Sequence, residues 1–181
     1  MVENTLRLIR NGRLEVDVWQ LFEVDSPALP PDESYWMVKL ETWKAHFAQL
    51  SSRNFPVAIL LPSDADAADI TFKYGSNGQA EGIAFIAIDF PTYTDGRGFS
   101  LAQIVRNQHG WTGELRAVGD VLIDTIHYLA RCGFDSFLVK AGHDAKLALE
   151  AFATFTVHYQ KSYPQPVKVI SQQLTSFFSI N

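Results

Sequence analysis

Hydrophobic and polar positions alternate with period two at the start of the chain, then give way to short unbroken apolar runs separated by helical patterns. Residues 6–9 and 14–19 flank Asn11-Gly12, a dipeptide that supplies the positive φ angles of a tight type I′ turn, so the opening predicts a β-hairpin. Residues 26–32, rich in proline, read as a linker with neither helix nor central strand. From Tyr35 onward strands and helices alternate. Trp43, Phe47 and Leu50 share one helical face. Residues 56–61 and 83–88 are continuously apolar, as expected of strands covered on both faces. Between them, Ser63 with Asp66 is expected to cap a short helix toward Ile70.

The second half continues the pattern. Residues 89–99 form a long loop, followed by a helix that Ser100 and Gln103 open as a capping box and that buries Leu101, Ile104 and Val105 before Gly110. Residues 114–118 predict a strand. The next helix has Asp120 as N-cap, Leu122, Ile126 and Leu129 as its buried stripe and Gly133 as its stop. Residues 136–140 predict the last strand, and Asp144 begins a long helix with Ala148, Phe152, Phe155 and Tyr159 facing the core.

Closely spaced strand–helix units need crossover connections, which put parallel strands in one sheet. The expected fold is therefore a single α/β domain of successive strand–helix units on a mostly parallel sheet, with an N-terminal β-hairpin. An open sheet is expected, because too few units are present to close a full barrel; a half-barrel-like (β/α) arrangement is the alternative. The chain divides into a hairpin (1–25), a linker (26–34), a βα core (35–160) and a C-terminal tail (161–181). At 181 residues with 47% hydrophobic positions, it can bury a full single-domain core.

Charge and cysteine usage narrow the function. A formal charge of −5 leaves no basic surplus to release counterions from phosphates, so no nucleic-acid partner is expected. Residues 1–10 lack the apolar stretch of a signal peptide, and no run approaches a membrane span, so a cytoplasmic protein with no membrane contact is expected. The single cysteine, Cys132, excludes a disulfide framework and a CxxC redox pair. The hairpin edge and the aromatics Phe177 and Phe178 offer surfaces for a homodimer.

Ligands of parallel sheets usually bind at the carboxyl ends of the strands, which selects residues 89–99, 119–120 and 140–143. The first loop reads Asp-Phe-Pro-Thr-Tyr-Thr-Asp-Gly-Arg-Gly-Phe. Gly96 and Gly98 allow backbone N–H groups close to an anion, Ser100 lies where the helix opens, and Arg97 can hold two oxygens at once. With Arg116 these form the candidate anion site. The structural alternative is an Asp-Gly turn with Arg97 paired to Asp95 or Asp89. Asp95 and Asp120 are the candidate catalytic acid–base groups, Asp120 having the N-cap as its structural alternative. Arg116 lies mid-strand, so it needs a carboxylate such as Glu114 or Asp124, or a polar cleft. His143 and Asp144 could add acid–base chemistry. The five histidines, His46, His109, His127, His143 and His158, show no HxH or HExxH spacing, so no metal is expected. No flavin or nicotinamide fingerprint is present, and no cofactor is expected. Cys132, near a helix C-terminus, is not expected to be a nucleophile.

The segments TDGRGFS, GELRAVGDV and RCGFD strongly resemble the bacterial family of unknown function DUF934, over about residues 57–160. The resemblance marks Asp95, Gly96, Arg97, Gly98 and Ser100, then Arg116, Gly119, Asp120 and Asp124, and finally Arg131, Cys132, Gly133 and Asp135. Members are commonly described as oxidoreductases associated with assimilatory sulfite reduction, a link that reflects gene neighbourhood. What the resemblance implies is an accessory or ligand-binding protein of sulfite reduction, taking a small anionic ligand or a sulfite reductase-related protein at the strand-end loops. The alternative is a small-molecule enzyme with Asp95 and Asp120 as acid–base groups and Arg97 as substrate anchor; a scaffold braced by its Arg/Asp network is a third reading.

Overall fold

The computed structural model describes residues 6–24, 28–75 and 80–152. The expected tail with Phe177 and Phe178, the outer half of the last helix with Phe155 and Tyr159, and His158 lie outside these residues.

The hairpin forms as expected. Strands β1 (Leu6–Arg10) and β2 (Arg13–Val16) pair antiparallel, and Asn11 and Gly12 take φ angles of 52° and 70°, which suits a type I′ turn. Then follow β3 (Gln20–Leu21), β4 (Trp36–Lys39), the helices α1 (Leu40–Ala45) and α2 (Phe47–Ser51), β5 (Val57–Leu61) and β6 (Ile83–Phe90). The second half comprises α3 (Arg97–Asn107), β7 (Leu115–Gly119), α4 (Ile126–Arg131), β8 (Ser136–Leu138) and α5 (Ala145–Ala151).

Among the described residues, eight strands join one sheet in the order β2-β1-β8-β7-β6-β5-β4-β3. From β3 to β8 neighbours are consecutive and parallel; β1 is antiparallel to both β2 and β8. Crossovers of one hand between consecutive neighbours place the helices on one face. Not every strand is followed by a helix. Between β5 and β6 the helix expected after Ser63 shrinks to a single 3-10 turn, Ala67–Asp69. Asp66 Oδ1 accepts from Ala68 N there, while Ser63 Oγ donates to Asp95 instead.

The expected open sheet is corrected. The two edge strands, β2 and β3, are consecutive in the chain, with only residues 17–19 between them. Eight flat strands at about 4.8 Å spacing would hold their edges roughly 34 Å apart, whereas the four steps from Val16 to Gln20 reach about 14 Å. The sheet must curl on itself, and the half-barrel alternative is nearer the mark. Residues 14–22 carry the alternation across the gap. Leu14 and Phe22 pack against the helix-side core, and Asp17 and Trp19 face the concave side. β2 and β3 thus behave as one extended segment whose first half pairs with β1 and whose second half pairs with β4.

Two cores result. The helix side packs Trp43, Ile59, Ile86, Leu115, Ile126 and Phe137. The concave side packs Ala58, Phe85, Ala87 and Val118 with Leu60 and Trp19. Trp19 meets Phe85 edge-on, ring centroids 4.8 Å apart, and meets Tyr35 the same way at 5.6 Å. No helix of the described residues is long and apolar enough to cross a membrane.

If Trp19 holds the curl, Trp19→Ala should cost about 3 kcal/mol in urea unfolding. Its neighbour Val18, about half exposed on the other face, should tolerate alanine within about 0.5 kcal/mol.

Candidate functional site

Because β3 to β8 run parallel, their carboxyl ends open on one rim, and the three loops selected by sequence meet there. Arg97 is the first residue of α3, so the helix starts three residues before the expected Ser100. Asp95 explains the early start, since its Oδ1 accepts from Arg97 N at 3.1 Å. The same carboxylate clamps the Arg97 side chain in a fork, Nε to Oδ1 at 2.9 Å and Nη2 to Oδ2 at 2.7 Å. Ser63 Oγ donates to Asp95 Oδ2 at 2.7 Å, and Asp64 lies 3.4 Å from Arg97 Nη1. Arg97 first and Ser63 second hold the Asp95 carboxyl far below its ordinary value. The guanidinium fork expected to face a ligand therefore faces Asp95 and Asp64, not Asp89.

The glycines of this loop serve geometry. Gly96 precedes the helix at φ −75° with open space around its Cα. At Gly98 a Cβ would lie 2.6 Å from the Phe90 ring, so glycine is needed for packing. Ser100 is exposed on α3.

Asp120 does not cap α4, which begins six residues later behind Thr125. A local turn intervenes, with Thr125 Oγ1 donating to Leu122 O at 2.9 Å. Asp120 instead ties two loops together. Its Oδ1 sits 2.6 Å from Lys140 Nζ in an ion pair, and its Oδ2 accepts from Tyr93 N at 2.8 Å. Lys140 and then the Tyr93 amide lower its pKa, with His143 adding a smaller charge effect.

Arg116 lies away from the rim, on the concave face, and is 1% exposed. Nη2 donates to Glu114 Oε1 at 2.8 Å, Nη1 to Asp17 Oδ1 at 3.0 Å, and Nε to Ser136 Oγ at 3.3 Å. Its guanidinium carbon stands 3.8 Å from the Phe85 ring centroid. Burial works against ionised Glu114, but Arg116, Ser136 and Arg10 together pull it below its ordinary value. The Glu114 partner is the expected one; the second carboxylate is Asp17, not Asp124.

The third family segment braces the turn after α4. Arg106, almost buried, donates to the carbonyls of Trp111, Gly113 and Gly133 and pairs with Asp135. Cys132 is half-buried, and burial raises its thiol. Among the described residues no group of three side chains could hold a metal ion.

Two features of the rim were missed in sequence. An open depression of about 470 Å³ is lined by Leu122, Ile123, Asp124, His127, Tyr128 and His143, beside the Asp120–Lys140 pair. The second is Asp89, which ends β6 on the concave side, opposite Val118. It is half-buried, its side chain makes no hydrogen bond or ion pair among the described residues, and burial raises its pKa. Gly119 makes room for it. A Cβ there would lie 2.5 Å from Asp89 Oδ1 and 2.5 Å from Phe90 O, and φ is +87°. The sequence signal available was a carboxylate ending an apolar strand; what gives it weight is the lack of a partner across the sheet.

Two outcomes are expected. In Gly119→Ala, backbone strain and overlap should cost at least about 2 kcal/mol in chemical unfolding. In Arg97→Ala, Asp95 loses its clamp but keeps Ser63 and the backbone N–H of residue 97, so its titration should move up toward its ordinary value by carbonyl NMR. Because the folded value of Asp95 is depressed, its share of stability is present above 3.8 and is lost as pH falls toward that folded value. The stability gap between wild type and Arg97→Ala should therefore be open at neutral pH and close in acid.

Among known proteins, neither a curated sequence nor a solved structure matches the chain. A family described as a bacterial protein of unknown function, DUF934, matches residues 58–169. That span runs from β5 through α5 and contains β6, β7 and β8 with the loops at their carboxyl ends. With more than half its length matched, this chain belongs to the DUF934 family.

Proposed function

We propose that this domain binds a small molecule at the rim of its parallel strands and serves assimilatory sulfite reduction as an accessory binding protein. The observation that carries the binding part is the open depression beside Asp120 and Lys140. Leu122 and Ile123 offer apolar walls, and His143, Tyr128 and Asp124 bring polar atoms to the edge, a combination suited to holding the body of a ligand and orienting its polar end. Its position after β7 and β8 agrees with where ligands of parallel sheets bind. The sulfite-reduction part is supported by the resemblance, and it makes a sulfite reductase-related protein the partner to seek.

Binding is favoured over acid–base catalysis by Asp95 and Asp120. Both carboxyls are held below their ordinary range by cations, so at neutral pH neither has a proton to donate and each is a weaker base than a free carboxylate. Arg97, the substrate anchor of the enzyme reading, already holds two carboxylates.

The test is a thermal-shift series on wild type, His143→Ala and Arg97→Ala with sulfite, sulfate, phosphate, adenosine nucleotides, nicotinamides and flavins. A true ligand at a hundred times its Kd stabilises by about 2.7 kcal/mol, or roughly 5–10 °C in a domain of this size. That shift is expected in wild type and should be lost in His143→Ala. No shift with any compound, together with no co-purification of sulfite reductase from a cell that makes both, would overturn the proposal.

A further inference from the structure

The depression of about 470 Å³ between the turn after β7, the start of α4 and the end of α5 is within the size range of small-molecule sites. Its walls Leu122, Ile123 and Ala151 are apolar and only partly buried, so they have surface left to cover a ligand. Tyr128 stands on α4 at the same depression and is 58% exposed. Among the described residues it meets one ring, that of His127, edge-on with centroids 5.8 Å apart, which leaves most of the phenol uncovered. Asp124 lines the depression too, and its side chain makes no hydrogen bond or ion pair among the described residues. Apart from two histidines it is the only acidic or basic side chain among the described lining residues. The charge around it is not compensated. Lys140, the cation that follows β8, is engaged by Asp120 at 2.6 Å. Asp144, next to His143, caps α5 through the amides of Lys146 and Leu147 and pairs with no cation among the described residues. The negative face of an aromatic ring attracts a cation, a carboxylate does the same, and apolar walls hold a flat ring.

We propose that this depression takes a flat aromatic or heteroaromatic ring carrying a positive charge. The ring lies on Leu122 and Ile123, and Tyr128 and Asp124 hold the charge. The inference rests on the reading of the depression as a binding site and names the class of ligand it takes. It also reverses the polarity expected from the Gly-Arg-Gly loop, whose Arg97 is occupied by Asp95 and Asp64.

The test uses one ring in three charge states: 1-methylnicotinamide as the cation, nicotinamide as the neutral form and nicotinate as the anion. Each is titrated into the full chain, into Asp124→Asn and into Tyr128→Ala, following the NMR amide signals of Ile123, Ala151 and His143. Both substituted residues are exposed, so an unchanged spectrum away from the depression checks that the fold is kept. In wild type the cation should bind about ten-fold tighter than nicotinamide, with roughly three-fold from the carboxylate and as much from the phenol. Nicotinate should bind weakest. Each variant should cut the advantage of the cation to about three-fold. An advantage that either variant leaves unchanged, nicotinate binding as tightly as nicotinamide, or silence with all three probes overturns the proposal. If nicotinate moves the signals most, or the probes are silent while a compound of the thermal-shift series still stabilises the protein, the depression remains a binding site and only this inference fails. If probes and series are both silent, the two readings fall together.

Discussion

The three residues between β2 and β3 constrain the rest of the molecule. They must carry the chain from one edge of an eight-stranded sheet to the other, and an extended chain that short allows only a tightly curled sheet. The curl gives the sheet an inside. Trp19 and Asp17 come from those same residues and occupy it, one against Phe85 and the other on Arg116. Parallel strands arranged around a curve also bring their carboxyl ends to a common rim, which is why loops separated by many residues can approach one another there.

The charges divide into two kinds. Inside, Arg116 sits among Glu114, Asp17 and Ser136, a fully bonded group whose loss of any one partner would leave a charge stranded away from water. On the rim, Arg97 with Asp95 and Asp64, and Lys140 with Asp120, are solvent-screened ion pairs of modest energy. Their contribution is shape: the first fixes where α3 begins, and the second holds the loop after β7 against the end of β8. Asp89 belongs to neither kind.

How much was legible follows from where the information lies. The hairpin was readable because Asn11-Gly12 dictates its own backbone, and β5 to β8 were readable because continuous apolar runs mark covered strands. β4 was not read, since its four residues, Trp36–Lys39, mix buried and exposed positions directly after a proline-rich stretch. The starts of α3 and α4 were misplaced because Ser100 and Asp120 have capping chemistry that tertiary contacts override. In the structure Asp95 starts α3 instead, and Lys140 and Tyr93 draw Asp120 away. Strand order, and with it the curl, is set by pairings such as Arg10 with Ser136 that no local pattern reveals. At the site, sequence located the loops but could not assign partners. Asp17 reaches Arg116 across ninety-nine positions, and the significance of Asp89 is a missing neighbour, which only three dimensions can show.

The pairing of β1 with β8 also has a consequence for synthesis. The hairpin leaves the ribosome well before Ser136–Leu138, the strand that one of its edges pairs with. At ordinary translation rates that interval is on the order of ten seconds. During it β1 presents unpaired backbone donors and acceptors, the kind of edge that recruits strands from other chains. The nascent chain must wait for β8 to arrive, and its exposure to aggregation at this edge ends only when that strand docks.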